Sequence, residues 1–403
     1  MKLLHHLHVL PALGLSLVAA TALCGLSLAA RAQVATAVPP AATPSPGNES
    51  MKREVQHAID RALVWLKARQ NPDGSWSNTE FPALTALVMT SYLGDPARRG
   101  RGLADAPEDE LLRRAHAYLL TCVQPDGGIY RKGLTNYNTA ISIVALLAER
   151  DPANVELLRK ARTFVISIQK HGPEGDPFDG GVGYDLQGDH SDLSNTTYAM
   201  EALHYSRGLA AAQETIKDPD LDWKAAAGFL ERCQNLPAYN KQSWASDDPQ
   251  NKGGFIYFPG GSSAGKTELP GGKTALRSYG STTYAGLLSY IYADLQRDDP
   301  RVTAAYDWLR ANYSLDENPG MGKQGLFYYY ELMAKSLSTY GANELELPDG
   351  RKVNWREELA TKLLSLQTEE GFWQNENGRW WEKDPVLTTA YSLIALEFIH
   401  RRL

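Results

Sequence analysis

The chain has 403 residues, 43% hydrophobic and 22% charged, a composition that suits a folded globular protein with a large core and excludes a low-complexity or collagenous one. Its formal charge is −6 with no basic tract, which speaks against nucleic acid or an anionic membrane surface as its partner.

In chain order the first feature is a leader. Lys2 precedes the apolar run "VLPALGLSLVAATALCGLSLAA", and Ala30-Arg31-Ala32 has the small residues of a cleavage site. Residues 1–32 therefore read as a secretory signal peptide cut before Gln33, which predicts export to the periplasm or medium. The competing reading is a retained anchor in contact with a membrane, because the run is long enough to span a bilayer. Residues 33–50, Pro- and Ala-rich as in "VPPAATPSPGNES", read as a disordered tether. The folded domain is then 51–403.

That domain repeats itself. "ALVWLKARQNPDGSW" near its start and "ATKLLSLQTEEGFW" near its end both give an apolar helix end, a Gln, a short acidic turn, a Gly and an aromatic. Weaker copies carry Gln124, Gln169 and Gln234, and another has Tyr313 in the Gln position. Each unit predicts two helices. The first is amphipathic, as where Val55, Ile59, Ala62, Leu63 and Leu66 form one stripe. The second, over 83–93, 139–148, 282–293 and 388–399, is apolar nearly all round and must be covered on both sides. Six such pairs make an all-α fold, an (α/α)6 toroid with amphipathic helices outside and apolar helices inside.

Pro72-Asp73-Gly74 and Pro125-Asp126-Gly127 are turn formers, and the Gln is expected to bond backbone at the end of its own outer helix. Cys122 and Cys233 fall in the second and fourth units, which are not neighbours in a ring, so free thiols are expected.

"WLKARQNPDGSW" and "LLSLQTEEGFW" resemble the QW repeats of squalene-hopene cyclases and of the β subunits of protein prenyltransferases. The resemblance covers nearly the whole folded part and implies the terpenoid cyclase toroid. It also implies a central cavity for an isoprenoid or lipid-like small molecule. The family's catalytic patterns are missing. Where proton-initiated cyclases carry D-x-D-D-T, this chain has Asp192, Leu193, Ser194, Asn195 and Thr196, so only the first acid survives. Asp247-Asp248 and Asp298-Asp299 lack a third Asp for D-D-x-x-D, and neither cysteine fits the prenyltransferase zinc site. No metal or cofactor is expected. Asp218, Asp220 and Asp222 imitate the start of a calcium loop, but Phe229 stands at the closing Glu position; they read as N-terminal charges on the fourth outer helix.

Gly260, Gly265, Lys266 and Thr267 satisfy the phosphate-loop pattern. Thr267 is followed by Glu268-Leu269-Pro270-Gly271-Gly272, where no helix can start, so nucleotide binding is not expected and the segment reads as a Gly-rich loop over one mouth of the ring.

The remaining polar residues cluster at the starts of the inner helices. Asp192, His190, Arg277 and Tyr329 are the candidates for chemistry. Asn195, Thr196, Tyr184, Tyr279, Thr282, Tyr328, Glu331, Thr388 and Tyr391 are the candidates for ligand contact. Parallel inner helices would aim positive dipole ends at this mouth and favour an anionic group. Three functions stay open: an isoprenoid-binding or cyclase-like protein, a non-enzymatic toroid scaffold, and a polysaccharide lyase or glycan binder.

Overall fold

The computed structural model describes residues 48–106, 108–186, 188, 190–211 and 219–403. The leader read over 1–32, the tether up to residue 47, and Asp218 lie outside the described residues.

The domain alternates outer and inner helices. They are α1 (Glu49–Lys67) and α2 (Pro82–Gly94), α3 (Glu110–Leu120) and α4 (Thr135–Ala148), α5 (Val155–Ser167) and α6 (Leu193–Tyr205). After the short α7 (Arg207–Ala211) come α8 (Trp223–Cys233) and α9 (Gly280–Tyr292), α10 (Pro300–Ala311) and α11 (Leu326–Tyr340), and α12 (Trp355–Leu366) and α13 (Pro385–His400). Twelve of the thirteen residues of α9 are buried, against five of the eleven of α3, which is the difference between a helix covered on both sides and one with a wet face. The inner helices pack in the order α2, α4, α6, α9, α11, α13, and α13 packs back on α2. The ring is closed. Outside it, α12 packs on α1.

The recurring turn explains how one unit is fixed to the next. Gln70 Nε2 donates to Gly74 O of its own turn and, at 2.9 Å, to Leu111 O at the start of α3. Gln169 bridges in the same way to Asp222 O before α8, and Gln234 to Arg301 O of α10. Gln367 closes the circle on Ala58 O of α1. The Gln thus reaches forward to the next outer helix, where the sequence suggested a bond to its own helix end. Tyr313 does the same work with different chemistry, its hydroxyl donating to Glu358 of α12 at 2.9 Å. Gln124 alone stays local, on Cys122 O and Tyr130 O.

The aromatic after the turn is buried and bonded. Trp76 Nε1 donates to Leu66 O and Trp373 Nε1 to Leu363 O, each at 2.8 Å. Their backbone N–H groups donate to Thr85 and Thr389 on the following inner helices. Gly74 is required twice over: its φ is +92°, and a Cβ there would stand 2.2 Å from Arg114 O.

The Gly-rich segment forms a small hairpin, β1 (Lys266–Glu268) against β2 (Thr274–Leu276). A phosphate cradle needs a helix starting at this Lys. Here Lys266 opens a strand and its ammonium lies 3.7 Å from Glu268. A second hairpin pairs β3 (Leu345–Glu346) with β4 (Lys352–Val353). Asp222 caps α8 by accepting from Ala225 N, and Asp299 caps α10 by accepting from Arg301 N. Cys122 and Cys233 are buried and unpaired. Among the described residues no helix is long and apolar enough to cross a membrane.

Candidate functional site

A cavity of about 280 Å3 opens at the mouth where the inner helices begin. Leu84 and Leu87 of α2, Tyr137 and Ile141 of α4, Ser194 and Tyr198 of α6, Thr282 of α9, Tyr328 of α11, and Leu387 and Tyr391 of α13 line it. Because every one of these lies in the first two turns of its helix, the six inner helices point the same way. Loop residues Phe81, Tyr184, Tyr257, Tyr279, Trp380, Trp381 and Glu382 complete the wall.

The tyrosines form a continuous belt. Ring centroids stand 5.7 Å apart for Tyr184–Tyr137, 5.3 Å for Tyr137–Tyr198, 6.3 Å for Tyr198–Tyr328 and 5.7 Å for Tyr328–Tyr391. Tyr328 reaches across to Ser194 Oγ at 3.0 Å, and the Tyr184 and Tyr257 hydroxyls are 2.9 Å apart. Burial pushes the hydroxyls of Tyr137, Tyr198 and Tyr328 well above their ordinary range, so they stay neutral.

At the rim, Trp380 and Trp381 take φ of 54° and 66°, a left-handed conformation that bulky residues rarely adopt. Trp380 packs over Gly325, and Trp381 packs on Phe81 with ring centroids 4.7 Å apart and planes tilted by 55°. Both rings are nearly half exposed while also lining the cavity.

Below the belt lies a buried ion cluster. Glu331 and Lys335 follow Tyr328 on one stripe of α11, about 4.5 and 10 Å further along the helix axis at 1.5 Å per residue. Lys335 Nζ is 2.8 Å from Glu331 and 2.8 Å from Glu201 of α6, across the ring. Burial acts to lower the Lys335 pKa, but the two carboxylates outweigh it and hold the ammonium charged; burial raises Glu331.

The sequence-predicted residues divide accordingly. Tyr184, Tyr279, Thr282, Tyr328 and Tyr391 line the cavity. Glu331 lies beneath it in the ion cluster. Asn195 N and Nδ2 donate to the Asp192 carboxylate at 2.9 and 2.8 Å, and Thr196 and Thr388 bond turn backbone at Val182 and Trp373. Tyr329 faces outward, its hydroxyl donating to Ser314 O. Arg277 is exposed at the end of β2. His190 packs on Phe258 and Phe178 beside Asp192.

Asp192 is fully buried behind the tyrosine wall as the N-cap of α6. Burial raises its carboxyl to about 6, with the bonds from Asn195, the Tyr257 hydroxyl and the His190 charge pulling the other way.

The inner-helix N-termini differ from the sequence expectation in one respect. They are already supplied with acceptors. Asp192, Glu382 and Asp384 carboxylates receive Asn195 N, Tyr328 N and Val386 N of α6, α11 and α13. Asn138 and Asn318 side chains receive Ala83 N of α2 and Ser281 N of α9, and Tyr184 O receives Asn136 N of α4. Each inner helix thus has at least one of its N-terminal N–H groups already taken by an acceptor of the protein itself.

The ligand-free type II terpene cyclase MstE from Scytonema superposes with a TM-score of 0.52 at 14% identity, over 87% of this chain and 99% of MstE. An MstE variant in complex with geranylgeranyl dihydroxybenzoate, its substrate, superposes at 0.51 with 12% identity, over 88% and 99%. No family model matches the sequence, and no curated protein does. Helix order, ring closure and these superpositions agree: the chain has a terpenoid cyclase-like, all-α toroid fold.

Proposed function

We propose that the protein binds an isoprenoid-like ligand in the tyrosine-belted cavity, and that it holds this ligand without cyclising it. The observation that carries the proposal is the belt itself: five tyrosines in tilted, edge and stacked contact, closed by two rim tryptophans, over walls of Leu and Ile. Such a surface suits a flexible apolar chain with π-bonds. MstE, on the same fold, holds a geranylgeranyl compound.

The α6 N-terminus supports the reading of binding without cyclisation. Ser194 and Asn195 stand where the family carries acids, and the surviving Asp192 has both oxygens occupied by Asn195 and no place in the cavity wall. The leader read in residues 1–32 would place this binding outside the cytoplasm.

The test is a titration of the purified protein with geranylgeraniol and, in parallel, acidic oligosaccharides with and without Ca²⁺, read by thermal shift and tryptophan quenching. A ligand that binds only the folded state raises the midpoint. A saturable shift with the isoprenoid supports the proposal. A Ca²⁺-dependent shift with the glycan instead would favour the lyase-like reading, and a flat panel would favour a scaffold.

A further inference from the structure

The charge of the cavity wall says more about its ligand than its shape does. Among the described residues that line it, none is Lys, Arg or His, and Glu382 is the one carboxyl. Glu382 is buried. It comes from the rim strap, accepts from Tyr328 N at 2.8 Å, and takes a further bond from Asn375. The positive end of α11, which could have met a ligand phosphate, is thereby occupied by the protein's own carboxyl group. Asp192 and Asp384 do the same for α6 and α13.

The buried cation beneath the belt gives no help to an anion. Lys335 lies below the belt with a carboxylate on each side. An anionic head group drawn into this space would lose its water, find no counter-charge among the lining residues, since the rim guanidinium of Arg379 is held over Trp380 and bonds Gln324, and face Glu382. Burying an ionised group without a partner is strongly unfavourable. A cation meets the opposite situation, with tyrosine and tryptophan faces around it and a carboxylate in the wall.

Resting on the isoprenoid reading above, we infer that the cavity selects its ligand by head-group charge: it takes protonated isoprenyl amines and neutral isoprenoids and rejects isoprenyl diphosphates. Glu382 is the specificity-determining residue. The aromatic belt holds the chain, and the strap carboxylate sets which head group can follow it in.

Three ligands that share one fifteen-carbon chain test this: farnesylamine, farnesol and farnesyl diphosphate, titrated into the full protein below their micelle concentrations. The readouts are calorimetry and quenching of Trp380 and Trp381. The amine is expected to bind about five- to tenfold more tightly than the alcohol, and the diphosphate at least about a hundredfold more weakly than the alcohol. Glu382→Gln, whose amide oxygen can still accept from Tyr328 N, is expected to bring the amine and alcohol affinities together. If that variant does not fold, the wild-type order decides alone. Diphosphate binding as tight as alcohol, or an amine weaker than the alcohol, would overturn the charge rule and leave the isoprenoid reading standing. Failure of all three to bind would overturn both.

Discussion

Replacing Asp192 with Asn gives a stability difference whose sign and pH window both follow from the structure. Burial holds this carboxyl at about 6, against an ordinary value of 3.8. At about 1.4 kcal/mol per pH unit, that displacement amounts to about 3 kcal/mol. The folded protein binds this proton more tightly than the unfolded chain. The stability it contributes is therefore fully present below 3.8 and lost as pH rises through about 6. The Asn side chain has no proton to lose, so the wild-type minus variant difference should fall by about 2.4 kcal/mol between pH 4 and 7. Glu331, Glu382 and Glu397 are also raised by burial, but they titrate in both proteins and cancel from the difference. The assay is urea unfolding of both proteins at a series of pH values. A difference that is flat across the window, or that rises with pH, would refute the placement of an ionisable Asp192 in a desolvated N-cap.

Two further substitutions probe the frame. Gln169→Ala removes two donated bonds and one accepted from Asp222 N, and at about 1 kcal/mol each should cost about 3 kcal/mol. Gln124→Ala breaks only local bonds and should cost about 1–2 kcal/mol by the same denaturant measurement; equal losses would show that forward bridging to the next outer helix is irrelevant. Lys335→Met strands Glu201 and Glu331 without their cation and should cost about 3–5 kcal/mol, most of it recovered when both acids are also changed to Gln. A single variant as stable as wild type would contradict a charged cluster beneath the belt.

The frame was legible because its signals are local and repeated. A Gly at positive φ recurs at each turn, a Gln at all but the one with Tyr313, and a buried aromatic at those with Trp76, Phe255 and Trp373, and the apolar second helix declares itself by having no polar face. What the Gln bonds was not legible, since its partner belongs to the next repeat. The site was half legible. Tyr328, Tyr329 and Tyr330 look alike in sequence, yet at 100° per residue only Tyr328 of the three turns into the cavity. Tyr137 and Tyr198 were missed because an aromatic early in an apolar helix looks like core. Trp380, Trp381 and Glu382 were missed for a different reason: a strap set by two left-handed tryptophans has no periodicity to read. The same blindness produced the expectation of an anionic ligand. Asp192 and Asp384 are caps that can be seen locally, whereas Asn138, Asn318 and Glu382 cap helices far from themselves in sequence.

Occupation of the tyrosine-belted mouth of the ring by an isoprenoid chain is tested most directly by a crystal structure of the protein grown with saturating geranylgeraniol. The predicted result is a continuous chain of density between Tyr137, Tyr198, Tyr328 and Tyr391, covered by Trp380 and Trp381. A structure in which the belt closes on itself, with the isoprenoid absent or bound elsewhere on the surface, would contradict the claim.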